Sequence, residues 1–116
     1  MNLETVTKRL YEGMYILSAT LGENARKLAL DKITQGITDK SGKVLKIHDM
    51  GKKRLAYEIN KRREGYYYLL YFEMDTDKMH LLSRDYQLHE DLMRYMTLET
   101  KEVKETLTFK SLPQSK

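Results

Sequence analysis

The sequence contains no cysteine, which excludes disulfides, thiolate metal sites and thiol nucleophiles. That absence is compatible with a reducing cytosol. No stretch approaches the roughly 20 consecutive apolar residues of a membrane-spanning helix. The first residues, 1 to 8, lack an apolar core, so no signal peptide is expected there. Glycine is sparse and dispersed, six in all, and offers no glycine-rich loop to cradle a phosphate. A chain of 116 residues has room for one domain, burying roughly two-thirds of the surface its unfolded form exposes. A soluble, cytoplasmic, single-domain protein is the expectation.

Catalytic patterning is equally sparse. His48, His80 and His89 have no spacing partner suited to chelation. Glu12, Glu73 and Asp75 stand alone as candidate acids or bases. No catalytic residue, metal, cofactor or small-molecule substrate is expected, and the chain does not read as an enzyme.

What the chain does have is a lopsided charge. The segment from Lys40 to Arg63 carries nine cations, namely Lys40, Lys43, Lys46, Lys52, Lys53, Arg54, Lys61, Arg62 and Arg63. Against them stand Asp49 and Glu58, giving +7; a total of +4 then leaves −3 for the rest. An acidic body with one basic limb suits a polyanion binder. The alternative is a solvated hairpin whose lysines guard an edge strand. Within the limb, Met50 to Lys61 interleaves cations with a strand-like alternation, Leu55, Tyr57 and Ile59 on one side and Arg54, Ala56, Glu58 and Asn60 on the other. On that parity Tyr57 is expected in the core rather than stacked on RNA.

Tyr11 to Ala19 reads as a strand. Thr20 with Glu23 three residues later has the form of a capping box, opening a helix from about Glu23 to about Asp39 whose apolar face is Ala25, Leu28, Ala29, Ile33 and Ile37. Ser41-Gly42 ends it. Lys43 to Asp49 is a second strand whose broken parity predicts a bulge, and the basic run extends it to Lys61. Arg62-Arg63-Glu64-Gly65 has the composition of a hairpin turn. Tyr66 to Met74 is a third strand, Asp75-Thr76-Asp77 a helix start, and a second helix runs to about Leu88. Leu92 to Thr100 is the last strand. This βαββαβ order predicts an α+β, ferredoxin-like split βαβ fold, a four-stranded antiparallel sheet with both helices on one face. The domain is expected over residues 10–102, with tails at 1–9 and 103–116.

The third strand tests which face is buried. Turning Tyr67, Leu69 and Tyr71 inward would bury Glu73, which costs several kcal/mol unless it is paired. Tyr68, Leu70, Phe72 and Met74 should therefore face the helices. Gly65 to Tyr71 loosely resembles the signature strand of the RNA recognition motif, but that motif needs outward aromatics at Tyr66 and Tyr68, the parity assigned here to the core. Acylphosphatases of the same topology need an arginine-bearing anion loop after the first strand; residues 18–23 hold no cation. The open face would carry Met14, Ile16, Leu69, Tyr71, Met96 and Leu98, an apolar patch of the kind that marks a protein partner. The other possibility is that a tail, with Leu107 and Phe109, folds over it.

Tyr11-Glu12, the run Gly51 to Lys61, Gly65-Tyr66-Tyr67, Phe72-Glu73-Met74 and Arg94-Tyr95-Met96 resemble the bacterial small ribosomal subunit protein six family over about Tyr11 to Lys101. The family commonly has proline where Glu58 stands here. The resemblance implies a non-enzymatic component of the 30S subunit, cytoplasmic and ribosome-associated. It implies binding to the central domain of 16S ribosomal RNA together with small-subunit protein eighteen. The candidate RNA contacts are Lys52, Lys53, Arg54, Lys61, Arg62 and Arg63, followed by Lys46 and Arg94. The runner-up is a free-standing split-βαβ regulatory or single-strand RNA-binding module.

Overall fold

The computed structural model describes residues 8–59 and 61–105. Strand β1, Lys8–Ser18, leads to helix α1, Glu23–Asp39. A long hairpin follows, β2 Lys43–Ile59 and β3 Arg62–Asp75. A short 3-10 turn over Thr76–Lys78 opens helix α2, Met79–Gln87, and β4 is Leu92–Glu99. The strands lie in the order β2-β3-β1-β4, every pair antiparallel. This is the ferredoxin-like split βαβ arrangement expected from the element order.

The helix side of the sheet holds the core. Tyr15, Leu17, Ile33, Ile37, Leu70, Phe72, Met74 and Leu82 are all essentially inaccessible. Tyr68, Leu70, Phe72 and Met74 face the helices, as the position of Glu73 required. From α1 only Ala29, Ile33 and Ile37 are buried; Ala25 and Leu28 are exposed, because the helix presents a stripe narrower than its apolar residues suggest. Buried hydroxyls are satisfied within the core. Tyr15 and Tyr86 share a hydrogen bond of 2.5 Å, and the two rings meet edge to face. Burial, the largest cause in both, raises the tyrosine pKa values above their ordinary range. His89, buried after α2, donates from Nε2 to the Ala29 carbonyl at 3.1 Å, so it ties α2 to α1.

Three local expectations are corrected. The capping box does not form. Gly22 is the N-cap, its carbonyl accepting from the Arg26 N–H, while Thr20 Oγ1 bonds Ser18 Oγ instead. The chain leaves β1 in a tight turn that takes the threonine two residues too early. The hairpin turn is not Arg62 to Gly65: Ile59 lies opposite Arg62, and Lys61 adopts φ +65°. Lys61 is therefore in the turn, and Arg62 to Gly65 belong to the strand. Gly65 is required by packing rather than by a turn, since a Cβ there would collide with Ile16 Cγ2. Third, the register of β2 against β3 shifts not once but three times, between Val44 and Lys46, Asp49 and Gly51, and Arg54 and Ile59. The first is the bulge expected from sequence. The second has Gly51 at φ +81°, its N–H on Asp49 Oδ1. Bulges strengthen twist and bend a strand, and these turn the end of the hairpin into an arm that departs from the sheet.

Among the described residues no helix is long and apolar enough to cross a membrane, and no three His, Asp or Glu side chains cluster as a metal site.

Candidate nucleic-acid interface

The arm is built from residues 51–59 of β2 and 62–66 of β3, paired at Lys52 with Tyr66, Lys53 with Gly65 and Arg54 with Glu64. Lys52, Arg54 and Arg62 share the parity of Tyr66, and Lys53 shares that of Leu55. Leu55 is the arm's buried side chain, 8% exposed. It packs near Gly65 and Ile16, on the sheet face away from the helices. Two residues on, the Tyr57 ring lies under the Arg94 guanidinium, 5.2 Å from centroid to Cζ. Since β2 and β4 are opposite edges of the sheet, this contact requires the arm to lean across the open face.

A groove of about 540 Å³ runs between the arm and the β1–α1 connection. Lys52, Arg54, Lys61, Arg62 and Arg63 line it, with Ala19, Thr20 and Glu64. All five cations are exposed. Arg63 is paired with Glu58 at 3.2 Å, both partners solvated. Such exposed pairs are weak and yield readily to a phosphate. Sequence reasoning missed Arg26. It sits 4.0 Å above the Tyr66 ring and donates from Nε to the Tyr68 hydroxyl at 2.9 Å, extending positive charge from the arm onto α1. Its place in the first turn of a helix gave no hint of this contact.

The remaining expected cations are elsewhere. Lys46 is opposite Tyr71 on the open face and bridges Glu105 at 3.3 Å; it is not part of the groove. Arg94 is on β4, joined to the arm through Tyr57. Lys53 is exposed but on the opposite face of the arm from Lys52 and Arg54.

The open apolar face differs most from expectation. Ile16 (7% exposed), Leu69 (5%) and Tyr71 (1%) are buried and do not present a surface. The arm's Leu55 packs near Ile16, and the segment after β4 reaches Tyr71. There His48 Nε2 meets the Lys104 carbonyl at 2.7 Å, and the His48 ring lies edge-on to Tyr71. Residues 103–105 thus lie against the sheet, and β1 starts at Lys8, inside the expected N-terminal tail. Leu107 and Phe109 lie outside the described residues. What stays accessible is Met96 and Leu98, 57% and 56% exposed, beside half-buried Met14. Tyr57, expected in the core, is 58% exposed: it meets Arg94 on the open-face side that Leu55 also takes, but farther out along the arm, where no core covers it.

Comparison with known proteins places the chain in a family and bears out its fold. A family model described as Ribosomal protein S6 matches residues 10–99. "Small ribosomal subunit protein bS6" of Chlamydia muridarum and that of Chlamydia abortus are each 54% identical over 108 residues, covering 93% of this chain and 96% of the relative. The crystal structure of 30S ribosomal protein S6 from Thermotoga maritima superposes with a TM-score of 0.76 at 30% identity, over 80% of this chain and 88% of that one. The C-terminal domain of the MgtC protein from Mycobacterium tuberculosis, at 10% identity and a TM-score of 0.58 over 90% of this chain and all of that one, shares the fold alone. The chain belongs to the ribosomal protein S6 family, structural proteins of the small ribosomal subunit and not enzymes.

Proposed function

We propose that the protein binds the central domain of 16S ribosomal RNA through the basic arm, in concert with small-subunit protein eighteen, as a ribosome-associated component of the bacterial cytoplasm. The observation that carries this is the convergence of Lys52, Arg54, Lys61, Arg62 and Arg63 on one groove. Each is exposed, and their mutual repulsion is relieved when phosphates enter. Phosphate contacts of this kind fix position and affinity without reading bases. Specificity then comes from the shape of a folded RNA junction and from the second protein. The accessible apolar strip of Met96 and Leu98, with Met14, supports an edge-on approach of that protein to β4, replacing the broader face expected from sequence.

The test is incorporation. A chain carrying Lys52→Glu, Arg54→Glu and Arg62→Glu should fold normally, since all three are exposed. It should fail to co-sediment with 30S particles when offered with protein eighteen and 16S RNA. Undiminished co-sedimentation would overturn the reading.

A further inference from the structure

Phosphate binding gives no role to Tyr57. An aromatic side chain left 58% exposed on a cationic arm is a feature with its own requirement. Its ring is not loose. Leu55, two residues earlier, is buried near Ile16 and Gly65, which pins the backbone, and the Arg94 guanidinium stands 5.2 Å from the ring centroid. A cation at that distance is attracted to the negative face of the ring. One face is thereby occupied by a planar cation and the ring is held in one orientation, while more than half of the residue remains in solvent.

We infer that Tyr57 is a stacking platform for an unpaired base of the bound RNA, with Arg94 as the positioning residue behind it; the inference rests on the RNA-binding reading above. Aromatic rings set among cations are how proteins hold single-stranded segments, since every base has a π-face and its phosphate neighbours need neutralising. Lys53, on the Leu55 side of the arm, supplies that charge, with Lys52 and Arg54 on its other side. A cationic arm by itself would hold paired and unpaired RNA alike, whereas a pre-oriented ring adds a preference for a splayed nucleotide. A protein partner is the poorer occupant. The core of a protein interface is depleted of charge, and Tyr57 is flanked along the arm by Arg54, Glu58, Lys61 and Arg62.

The test measures affinity for the 16S central-domain fragment, with protein eighteen present, across a salt series. Tyr57→Leu keeps apolar bulk but loses stacking and should weaken binding roughly tenfold with the salt slope unchanged. Tyr57→Phe should stay within about twofold of the parent. Arg94→Gln should weaken the parent but add little in the Tyr57→Leu background, because its effect through the ring is already gone. Unchanged affinity in Tyr57→Leu, while the Lys52→Glu, Arg54→Glu, Arg62→Glu chain loses binding, overturns the stacking role and leaves the RNA reading standing. If neither variant loses affinity, both fall. Equal loss in Tyr57→Phe and Tyr57→Leu points to a hydroxyl contact and overturns stacking, as does a Tyr57→Leu defect confined to association with protein eighteen.

Discussion

Leu55→Ala tests whether the arm is a rigid fixture or a loosely tethered hairpin. Leu55 is 8% exposed and lies where the ladder is interrupted, between the Arg54–Glu64 pair and the Ile59–Arg62 pair. Truncation to alanine removes three carbons from contact with the region of Ile16 and Gly65. At about 0.8 kcal/mol per buried methylene this comes to roughly 2 kcal/mol, the low end for such substitutions, because an edge site can collapse. Leu55 is the one buried apolar side chain of the arm among the described residues, so the loss should appear as local opening. Two kcal/mol corresponds to about a 30-fold rise in the opening equilibrium. Native-state hydrogen exchange should therefore speed up about 30-fold at amides 53–59 and 62–65, while core amides of β1 and β3 keep their rates. Unchanged exchange in the arm would show that Leu55 does not hold it and would refute the packing argument.

Other consequences follow from the same contacts. Gly65→Ala drives a methyl into Ile16 and within 3.2 Å of the Leu17 carbonyl; overpacking of this kind costs about 1–3 kcal/mol and should lower Tm by roughly 5–15 °C in a domain of this size. The raised pKa values of buried Tyr15 and Tyr86 favour the protonated folded state. Their stabilisation is complete below about pH 10 and is lost above it as the unfolded chain ionises, by about 1.4 kcal/mol per pH unit for each; denaturant titrations at alkaline pH should show the fall, made shallower by about 1.4 kcal/mol per pH unit in Tyr86→Phe. Met96→Glu together with Leu98→Glu should leave the melting curve within about 1 kcal/mol of the parent, as exposed positions do. The same pair should weaken association with protein eighteen measured by calorimetry, and an unaffected affinity would remove β4 from the partner surface.

The element order and the inward set of β3 were legible because each rests on a strong local signal: a 3.6-residue period in α1, and a charged residue, Glu73, that fixes strand parity. The arm was legible in composition but not in shape. Alternation tells which side of a strand a residue takes but not whether the sheet's body lies beneath it, so Leu55 is buried while Tyr57, of the same parity and farther out on the arm, is in solvent. Gly65 looked like a turn residue because sequence cannot tell a glycine needed for backbone freedom from one needed to admit a neighbour's side chain. The covering of Ile16, Leu69 and Tyr71 is a contact between segments remote in sequence, Leu55 near Ile16 and Lys104 with His48, and no periodicity reports such contacts. The grouping of Lys52, Arg54, Lys61, Arg62 and Arg63 in one groove follows from the hairpin, which pairs 52–54 with 64–66 and so sets the cations of both strands on one short arm. Lys46 falls outside because the bend lies between it and the arm.

The most direct test of the account is the salt dependence of binding to the 16S central-domain fragment, with protein eighteen held in excess. Replacing Lys52, Arg54 and Lys61 together by glutamine removes three groove cations. The slope of log K against log salt should then fall by about 2 to 3 units, at roughly 0.7–0.9 per phosphate contact. A slope equal to that of the parent chain would mean that the groove meets no phosphates, and the arm would lose its assigned role.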